Sequence, residues 1–337
     1  MNEGENNKKY LIPNYLDKFN CKCGECRNTC CVGWTVTMSL NEYFKLMNLE
    51  CDQDFREKLD RGIYVCINPT AERYAYIKKN YYGDCVFHAE DGLCEIHKRF
   101  GENCISDVCR MYPKCFKNGP FYEKSCGNSC EGVLEILFDM EKIEFTSVND
   151  DSKIVIDCVS IIQENELLKD KFIKIAKYLD YNVSDEETIS LNDVIRILYD
   201  YLLLYQNNNH SISDYIDDII KNVDLSLYEE HKEHLYSIVP NYNDFISKVI
   251  GNHMIFTDFP FEKVGHNKLS FYSLCGVYAF TTFITTIEMR NKNTITDLID
   301  ILSKIFRLVE HSKFDINIGK YLKSKLQESD LISLIRL

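Results

Sequence analysis

The chain has 337 residues and a formal net charge of −13, with 39 Lys plus Arg against 52 Asp plus Glu. This length allows two domains of ordinary size, and the acidic balance argues against binding to nucleic acid, which needs a basic surface. The charge is unevenly distributed, because residues 1–130 contain 18 basic and 18 acidic residues and residues 131–337 carry the whole deficit.

The N-terminal segment lacks the apolar core and the small-residue cleavage site of a signal peptide. Without a sign of export, disulfides are not the expected state of the cysteines. Apolar stretches such as residues 201–205 fall far short of the roughly 18 residues that a membrane span needs. The sequence therefore predicts a cytoplasmic protein without a membrane span.

Cysteines concentrate in the first 130 residues, which hold all but Cys158 and Cys275 of the 16 in the chain. An early group and a later group are separated by the isolated Cys51 and Cys66. The early group is Cys21, Cys23, Cys26, Cys30 and Cys31, and the later group is Cys85, Cys94, Cys104, Cys109, Cys115, Cys126 and Cys130. Four convergent thiolates suffice to hold zinc or an iron–sulfur cluster, and the spacing does not choose between the two.

The elements predicted for the first 130 residues are short. Alternating residues 33–38 and 74–77 predict two brief strands. Between Cys85 and Cys94, the dipeptide Asp91-Gly92 predicts a tight turn that folds the second cysteine back towards the first. His88 lies between these two cysteines and His97 follows them, and both histidines are interpreted as surface or turn residues. This half is predicted to consist of loops, short strands and small helices organised by metal.

The later part of the chain shows helical spacing. The first clear pattern is residues 191–205, for which Ser190 is the predicted N-cap and Asp193 lies three residues on. Similar patterns recur, and a polar break at 207–213 predicts a loop. The further predicted helices cover residues 215–223, 235–250, 270–289, 295–311 and 318–326.

No dinucleotide-binding or phosphate-binding glycine loop is present in the sequence. The predicted fold is mostly α with small β elements and without a Rossmann sheet. It has a cysteine-rich metal-binding region at 1–130 and a helical, acidic, substrate- or cofactor-binding region at 131–337.

Several short motifs carry a resemblance to a known family. They are Pro13-x-Tyr15, Phe19-x-Cys21-x4-Cys26-x3-Cys30-Cys31-x-Gly33-Trp34, Cys85-x6-Gly92-Leu93-Cys94-x-Ile96, Cys109-Arg110-x-Tyr112-Pro113 and Ser125-Cys126. This pattern resembles the flagellin lysine-N-methylase (FliB-like) family, and its first part is shared more loosely with small zinc- or iron-chelating cysteine-cluster proteins. Weaker similarity runs from Phe259-Pro260-Phe261 to Arg307-x2-Glu310-His311-Ser312. The sequence departs from the pattern at six positions. Cys23, Cys104, Cys115 and Cys130 are extra cysteines, Lys114 stands where an arginine is usual, and Gly127 stands where a proline is usual.

The resemblance implies methyl transfer from S-adenosylmethionine to the ε-amines of flagellin lysines in a bacterium, with a cysteine-bound [4Fe-4S] cluster or, alternatively, zinc. Glu310 and His311 are the candidate catalytic residues. The extra thiols leave the exact four ligands open. The expected pool of metal ligands is Cys21, Cys26, Cys30, Cys31, Cys85, Cys94, Cys109 and Cys126. The alternative function is a non-catalytic zinc- or iron-binding or electron-transfer protein whose helical half binds a partner.

Overall fold

The computed structural model describes residues 10–32, 35–118, 122–148, 152–208, 224–260 and 268–337. The chain forms two compact units. We call Asn20–Cys115 the inserted unit, and Met1–Phe19 together with Phe116–Leu337 the main unit. These boundaries differ from the compositional division at residue 130. The separate roles predicted for 1–130 and 131–337 stay predictions.

Short strands lie in the first half of the chain, and the described elements after residue 147 are all helical. The strands are β1 (Ile12–Pro13), β2 (Thr37–Met38), β3 (Ile63–Val65), β4 (Ala75–Ile77), β5 (Lys114–Asn118), β6 (Tyr122–Cys126) and β7 (Phe145–Ser147). The helices are α1 (Leu40–Met47), α2 (Gln53–Gly62), α3 (Glu95–Phe100), α4 (Asp107–Met111), α5 (Glu131–Asp139), α6 (Lys153–Ile162), α7 (Leu168–Tyr178), α8 (Leu191–Asn208), α9 (Tyr228–Ile238), α10 (Tyr242–Thr257), α11 (Ser270–Met289), α12 (Ile295–Glu310) and α13 (Phe314–Lys325). A 3₁₀ segment, Glu328–Arg336, follows α13.

The sheets are small and confirm the predicted fold class. β1 pairs antiparallel with β7, β4 lies between β2 and β3 in an antiparallel sheet, and β5 neighbours β6. The described residues contain no doubly wound parallel sheet, and helices dominate the main unit. Of the predicted strands, 74–77 corresponds to β4, whereas only Thr37–Met38 of 33–38 is a strand and residues 33–34 lie outside the described ranges.

The inserted unit has its own apolar core. The buried side chains of Met38, Phe55, Leu59 and Phe87 belong to it, and partly buried cysteines pack against it. The unit's first helix begins with a capping box, because Ser39 Oγ accepts from the backbone N–H of Glu42 at 3.3 Å and the Glu42 carboxylate accepts from the backbone N–H of Ser39 at 2.7 Å. Such reciprocal bonds satisfy amides that the helix itself leaves unpaired.

Helix α11 lies at the centre of the main unit. Every residue of this helix except Glu288 is buried, and it packs against α9, α12, α13 and the final 3₁₀ segment. By length and composition it is apolar enough to cross a membrane, yet it is entirely enclosed by protein, as a core helix of a globular unit is. Serines and threonines interrupt its apolar run. The expectation that no stretch approaches membrane-spanning length was therefore wrong for residues 270–289.

Most predicted helices are present, with one error. Helix α8 begins at Leu191 as expected, and Ser190 Oγ accepts from the backbone N–H of Asp193 at 3.2 Å. The prediction of one helix over 235–250 was wrong, because α9 ends at Ile238 and α10 begins at Tyr242. Pro240 explains the break, since proline lacks an N–H donor and disfavours helical geometry in the residue before it. The helix predicted at 215–223 and most of the loop predicted at 207–213 lie outside the described residues.

Candidate metal centre and buried polar network

Backbone contacts in the inserted unit connect the early and the later cysteine groups. The backbone N–H of Cys85 donates to the carbonyl of Cys31 at 2.8 Å. The backbone of Cys94 pairs with that of His88 in an isolated antiparallel β-bridge, and Cys94 is also the N-cap residue of α3. Cys109 lies in α4, and its side chain packs against the same core as those of Cys85 and Cys94. The unit therefore brings Cys31 to Cys85 through the backbone and packs Cys85, Cys94 and Cys109 against one core.

The turn between Cys85 and Cys94 forms as predicted. The N–H of Gly92 donates to the carbonyl of Ala89 at 3.0 Å, and Gly92 has a φ of +78°, which favours glycine. A Cβ at Gly92 would lie 2.8 Å from the carbonyl oxygen of Gly24. The loop of the early cysteine group thus contacts the turn of the later group at two glycines, which leave room for the contact.

Electrostatic interactions connect four thiols of the inserted unit. Burial raises the pKa of Cys85 to about 12, and Cys31 and Cys94 add to the rise. Burial also raises the pKa values of Cys94 and Cys109, with contributions from Cys31 in both and from Cys85 and Cys94 in Cys109. Cys31 therefore influences the other three thiols, and Cys94 influences both Cys85 and Cys109. Among the described residues, no three Cys, His, Asp or Glu side chains lie close enough for one metal ion.

The other predicted ligands occupy different places. The pKa of Cys30 is raised by a hydrogen bond with Cys31, then by burial, with smaller effects of Cys109 and Cys21, so Cys30 lies beside the four thiols. Cys26 ends the 3₁₀ turn Cys23–Glu25 in the early loop. Cys126 belongs to the main unit and is fully buried in that unit's core.

A buried polar network crosses the main unit. The Tyr15 hydroxyl donates to Asn252 Oδ1 and accepts from the backbone N–H of Cys126 at 3.2 Å. Asn252 Nδ2 donates to the carbonyl of Cys126 at 2.9 Å and to Asn128 Oδ1 at 2.7 Å, and Asn128 Nδ2 donates to the carbonyl of Val249 at 2.9 Å. These bonds fix the segment after β6 against α10. Such a fully satisfied network is rigid and specifies one arrangement of the core.

Glu310, a candidate catalytic residue, holds the same segment. Its side chain is fully buried, and its two oxygens accept from the backbone N–H groups of Asn128 and Ser129, both at 3.1 Å. His253 Nδ1 lies 3.7 Å from Oε1. A Cβ at Gly127 would lie 2.8 Å from Oε2, so the carboxylate fits closely over the turn. Because backbone amides occupy both oxygens, the geometry gives Glu310 a structural role in the turn.

His311, the second candidate, has a different environment. Solvent reaches part of His311, but its ring lies edge-on to Phe256 with 6.5 Å between centroids, and its Nε2 lies 2.9 Å from the hydroxyl of the buried Ser129. Burial of the ring lowers the pKa of His311; Glu310 acts in the opposite direction and Arg307 adds to the lowering. The imidazole is therefore predominantly neutral at neutral pH and retains the capacity to accept a proton.

Sequence reasoning missed most of the buried network. Tyr15 appeared within a motif, but nothing in the sequence indicated that its hydroxyl bonds Asn252, which is 237 residues later. Asn128, Ser129 and His253 were also absent from the candidates. The one available signal was the polar pair Asn128-Ser129 just before the largely apolar helix α5, because buried polar groups need partners elsewhere in the fold.

Comparison with known proteins gives partial matches to methylases. Over 103 residues, or 30% of this chain, the sequence is 26% identical to a lysine-N-methylase of Salmonella typhimurium and to one of Salmonella choleraesuis. It is 25% identical, also over 103 residues, to the flagellar biosynthetic protein FliU of Salmonella muenchen. The matched segment spans 25% of each methylase and 60% of FliU. No family model and no solved structure matches the chain. The chain is thus similar, over a limited segment, to FliB-like lysine methylases and a flagellar protein.

Proposed function

We propose that this protein transfers methyl groups from S-adenosylmethionine to lysine ε-amines of flagellin in the bacterial cytoplasm. The observation that carries the proposal is the similarity to proteins named lysine-N-methylase and to a flagellar protein. The acidic balance of residues 131–337 supports a cationic substrate such as lysine. The matched segment covers under a third of this chain, so the whole reaction belongs to the proposal.

The second part of the proposal is a metal centre in the inserted unit. Cys31, Cys85, Cys94 and Cys109 would hold it, with Cys30 at its edge. The fit rests on the donors, because these are partly buried thiols that interact with one another, and bound metal would keep them as thiolates.

The spacing of these thiols bears on the identity of the metal. Zinc–sulfur bonds of about 2.3 Å place tetrahedral ligands about 3.8 Å apart, whereas ligands of a [4Fe-4S] cluster are separated by the body of the cluster. The cluster is the form that the family resemblance implies, and the described residues hold no three Cys, His, Asp or Glu side chains close enough for one metal ion. When bound, a cluster supplies an electron-transfer centre, and one held by three thiolates also leaves an iron open to a ligand.

The methyl acceptor must be neutral when it attacks. A free lysine amine with a pKa near 10.4 pays between about 4 and 5 kcal/mol to lose its proton at neutral pH. In the main unit, His311 is the residue that we propose to accept that proton, because it is exposed and predominantly neutral. Glu310 would act indirectly, by holding the turn that carries Ser129, the hydrogen-bond partner of His311.

A non-catalytic zinc- or iron-binding or electron-transfer protein is the second candidate. The observation in its favour is that the match to a lysine-N-methylase covers only 103 residues, or 30% of this chain. In this alternative the gathered thiols hold metal, and the helical main unit binds a partner.

Methylation by anaerobically purified protein tests the two candidates. We would measure iron, zinc and absorbance at about 400 nm, then incubate the protein with S-adenosylmethionine labelled in its methyl group and with flagellin. We expect label in flagellin lysines, and none in flagellin whose lysines have been acetylated. His311→Gln should lower the rate, whereas His97→Gln, at an exposed position of α3, should not. Folded, metal-loaded protein that transfers no methyl group would contradict the methylase and favour the second candidate.

A further inference from the structure

A cluster of five aromatic rings in the main unit lies beside the segment that carries His311. Tyr201 is at its centre, with ring centroids between 5.1 and 6.4 Å from those of its four neighbours. The neighbours are Tyr205, Phe280, Phe314 and Tyr321. Ser312, the residue after His311, connects the two regions. Its Oγ lies 3.5 Å from the hydroxyl of Tyr205 and accepts from the backbone N–H of Phe314 at 3.0 Å.

The hydroxyl of Tyr201 is buried without a hydrogen bond. Only 4% of this residue is exposed, and no partner for its oxygen lies within reach among the described residues. Its neighbour Tyr321 differs, because that hydroxyl donates to the carbonyl of Ile197 at 3.3 Å. A buried hydroxyl without a partner destabilises the folded protein. Tyr201 therefore gains from any group that can form a hydrogen bond with it.

The surroundings of this hydroxyl favour a cation. Burial raises the pKa of Tyr201, and the charges of Tyr205 and Asp315 add to the rise, so the Asp315 carboxylate lies near. Burial and then Asp200 raise the pKa of Tyr321 in the same way. Aromatic faces also attract cations, and Lys325 Nζ already lies 5.9 Å from the centroid of the Tyr321 ring. Rings, two carboxylates and a hydroxyl without a partner together suit an alkylammonium ion.

We propose that Tyr201 binds the ε-ammonium group of a substrate lysine, with its hydroxyl accepting a hydrogen bond from the nitrogen and the neighbouring rings contacting the methylene stem. This inference rests on the proposed function, in which lysine is the methyl acceptor. Tyr321 is half-buried and forms the accessible side of the cluster, with 5.1 Å between its ring centroid and that of Tyr201. The protonated amine is the form that binds, because rings and carboxylates attract its charge.

Binding of a simple alkylammonium ion tests this site without methyl transfer. We would measure the thermal unfolding midpoint of the anaerobically purified protein with n-butylammonium chloride, with n-butanol and with sodium chloride, all at the same concentration. A ligand that binds the folded protein raises this midpoint. We expect n-butylammonium to raise it above both comparisons, and Tyr201→Phe to weaken the affinity for n-butylammonium about tenfold.

Tyr272→Phe is the matched control, because Tyr272 is also 4% exposed but its hydroxyl donates to the carbonyl of Leu326 at 3.3 Å. Without ligand, we expect Tyr201→Phe to raise the midpoint, since it removes a buried hydroxyl without a partner, and Tyr272→Phe to lower it. Tyr272→Phe should keep the parental affinity for n-butylammonium.

Three results would overturn the proposal. They are no shift in the parent protein beyond those of n-butanol and sodium chloride, equal affinity of Tyr201→Phe and the parent, and a midpoint lowered alike by Tyr201→Phe and Tyr272→Phe. Methyl transfer enters none of these measurements. Binding at Tyr201 by a protein that methylates no flagellin would therefore contradict the proposed function alone.

Discussion

Glu310 accepts a hydrogen bond at 3.1 Å from the backbone N–H of Asn128, a residue 182 positions earlier in the chain. The carboxylate is fully buried and lies at the end of α12, so this contact ties the C-terminal part of the main unit to the segment between β6 and α5. Hydrogen bonds to a charged group are worth more than neutral ones, and breaking one in a buried site leaves its partner unsatisfied.

Replacing Glu310 by Gln is expected to destabilise the main unit by about 2 kcal/mol. The glutamine amide turns an N–H group towards one of the two backbone donors, so at least one hydrogen bond is lost. Urea unfolding of the two proteins gives the difference. Glu141→Gln, at an exposed position, is the control and should change stability little. Equal stability of Glu310→Gln and the parent would contradict a stabilising role for the hydrogen bonds from Asn128 and Ser129 to Glu310.

Removal of a single thiol from the proposed metal centre should release metal. We expect Ser at Cys31, Cys85, Cys94 or Cys109 to lose most bound iron or zinc on dialysis, because each loss removes a ligand whose binding energy also supports folding. Metal analysis per protein measures the effect. Cys66→Ser, at a cysteine outside this group, should keep parental metal content. Retention of metal in all four variants would show that the ligands lie elsewhere.

The contact between Gly92 and Gly24 can be tested with a pair of alanine variants. Gly92→Ala combines an unfavourable φ of +78° with a Cβ placed 2.8 Å from the Gly24 carbonyl oxygen. We expect a loss of about 1 to 3 kcal/mol and weaker metal retention. Gly83→Ala shares a positive φ of +87°, but its Cβ would meet no atom within 4 Å. It should therefore lose less stability and keep its metal. Equal effects of the two changes would argue against a close contact.

His311 should contribute a pH dependence to stability. Burial places the pKa of this imidazole below its unfolded value of about 6.5. Between the two values the unfolded chain binds more protons, so this contribution is fully present above about pH 6.5 and is lost as the pH falls towards the folded pKa. His311→Gln should therefore show a smaller stability difference between about pH 5 and about pH 7.5. An unchanged difference, measured by urea unfolding, would exclude this contribution.

Local patterns in the sequence predicted much of the fold. Ser190 and Asp193 were expected at the start of α8 and form its cap, and Asp91-Gly92 was expected to turn the chain and does. Such features depend on neighbours within a few residues. Pro240 was the local signal overlooked, and it ends α9 where one helix had been predicted.

The sites depend on contacts that sequence spacing does not encode. The cysteine groups predicted a metal site, but nothing local indicated that Cys126 lies in the core of a different unit from Cys85. The partners of Glu310 were equally hidden, because they are backbone amides contributed by a distant turn. Every residue except proline has a backbone N–H donor, so the sequence does not show which of these groups will bind a distant carboxylate.

The main unit is discontinuous, since β1 precedes the inserted unit and its partner β7 follows it. During synthesis β1 must wait for the whole inserted unit to be made before its partner strand exists. Closing that pair across a flexible chain costs entropy that grows with chain length. An inserted unit that has folded around its own apolar core replaces this flexible chain with a compact body. Folding of the inserted unit would then lower the cost of assembling the helical core of the main unit, so that the inserted unit would fold first and assist completion of the fold.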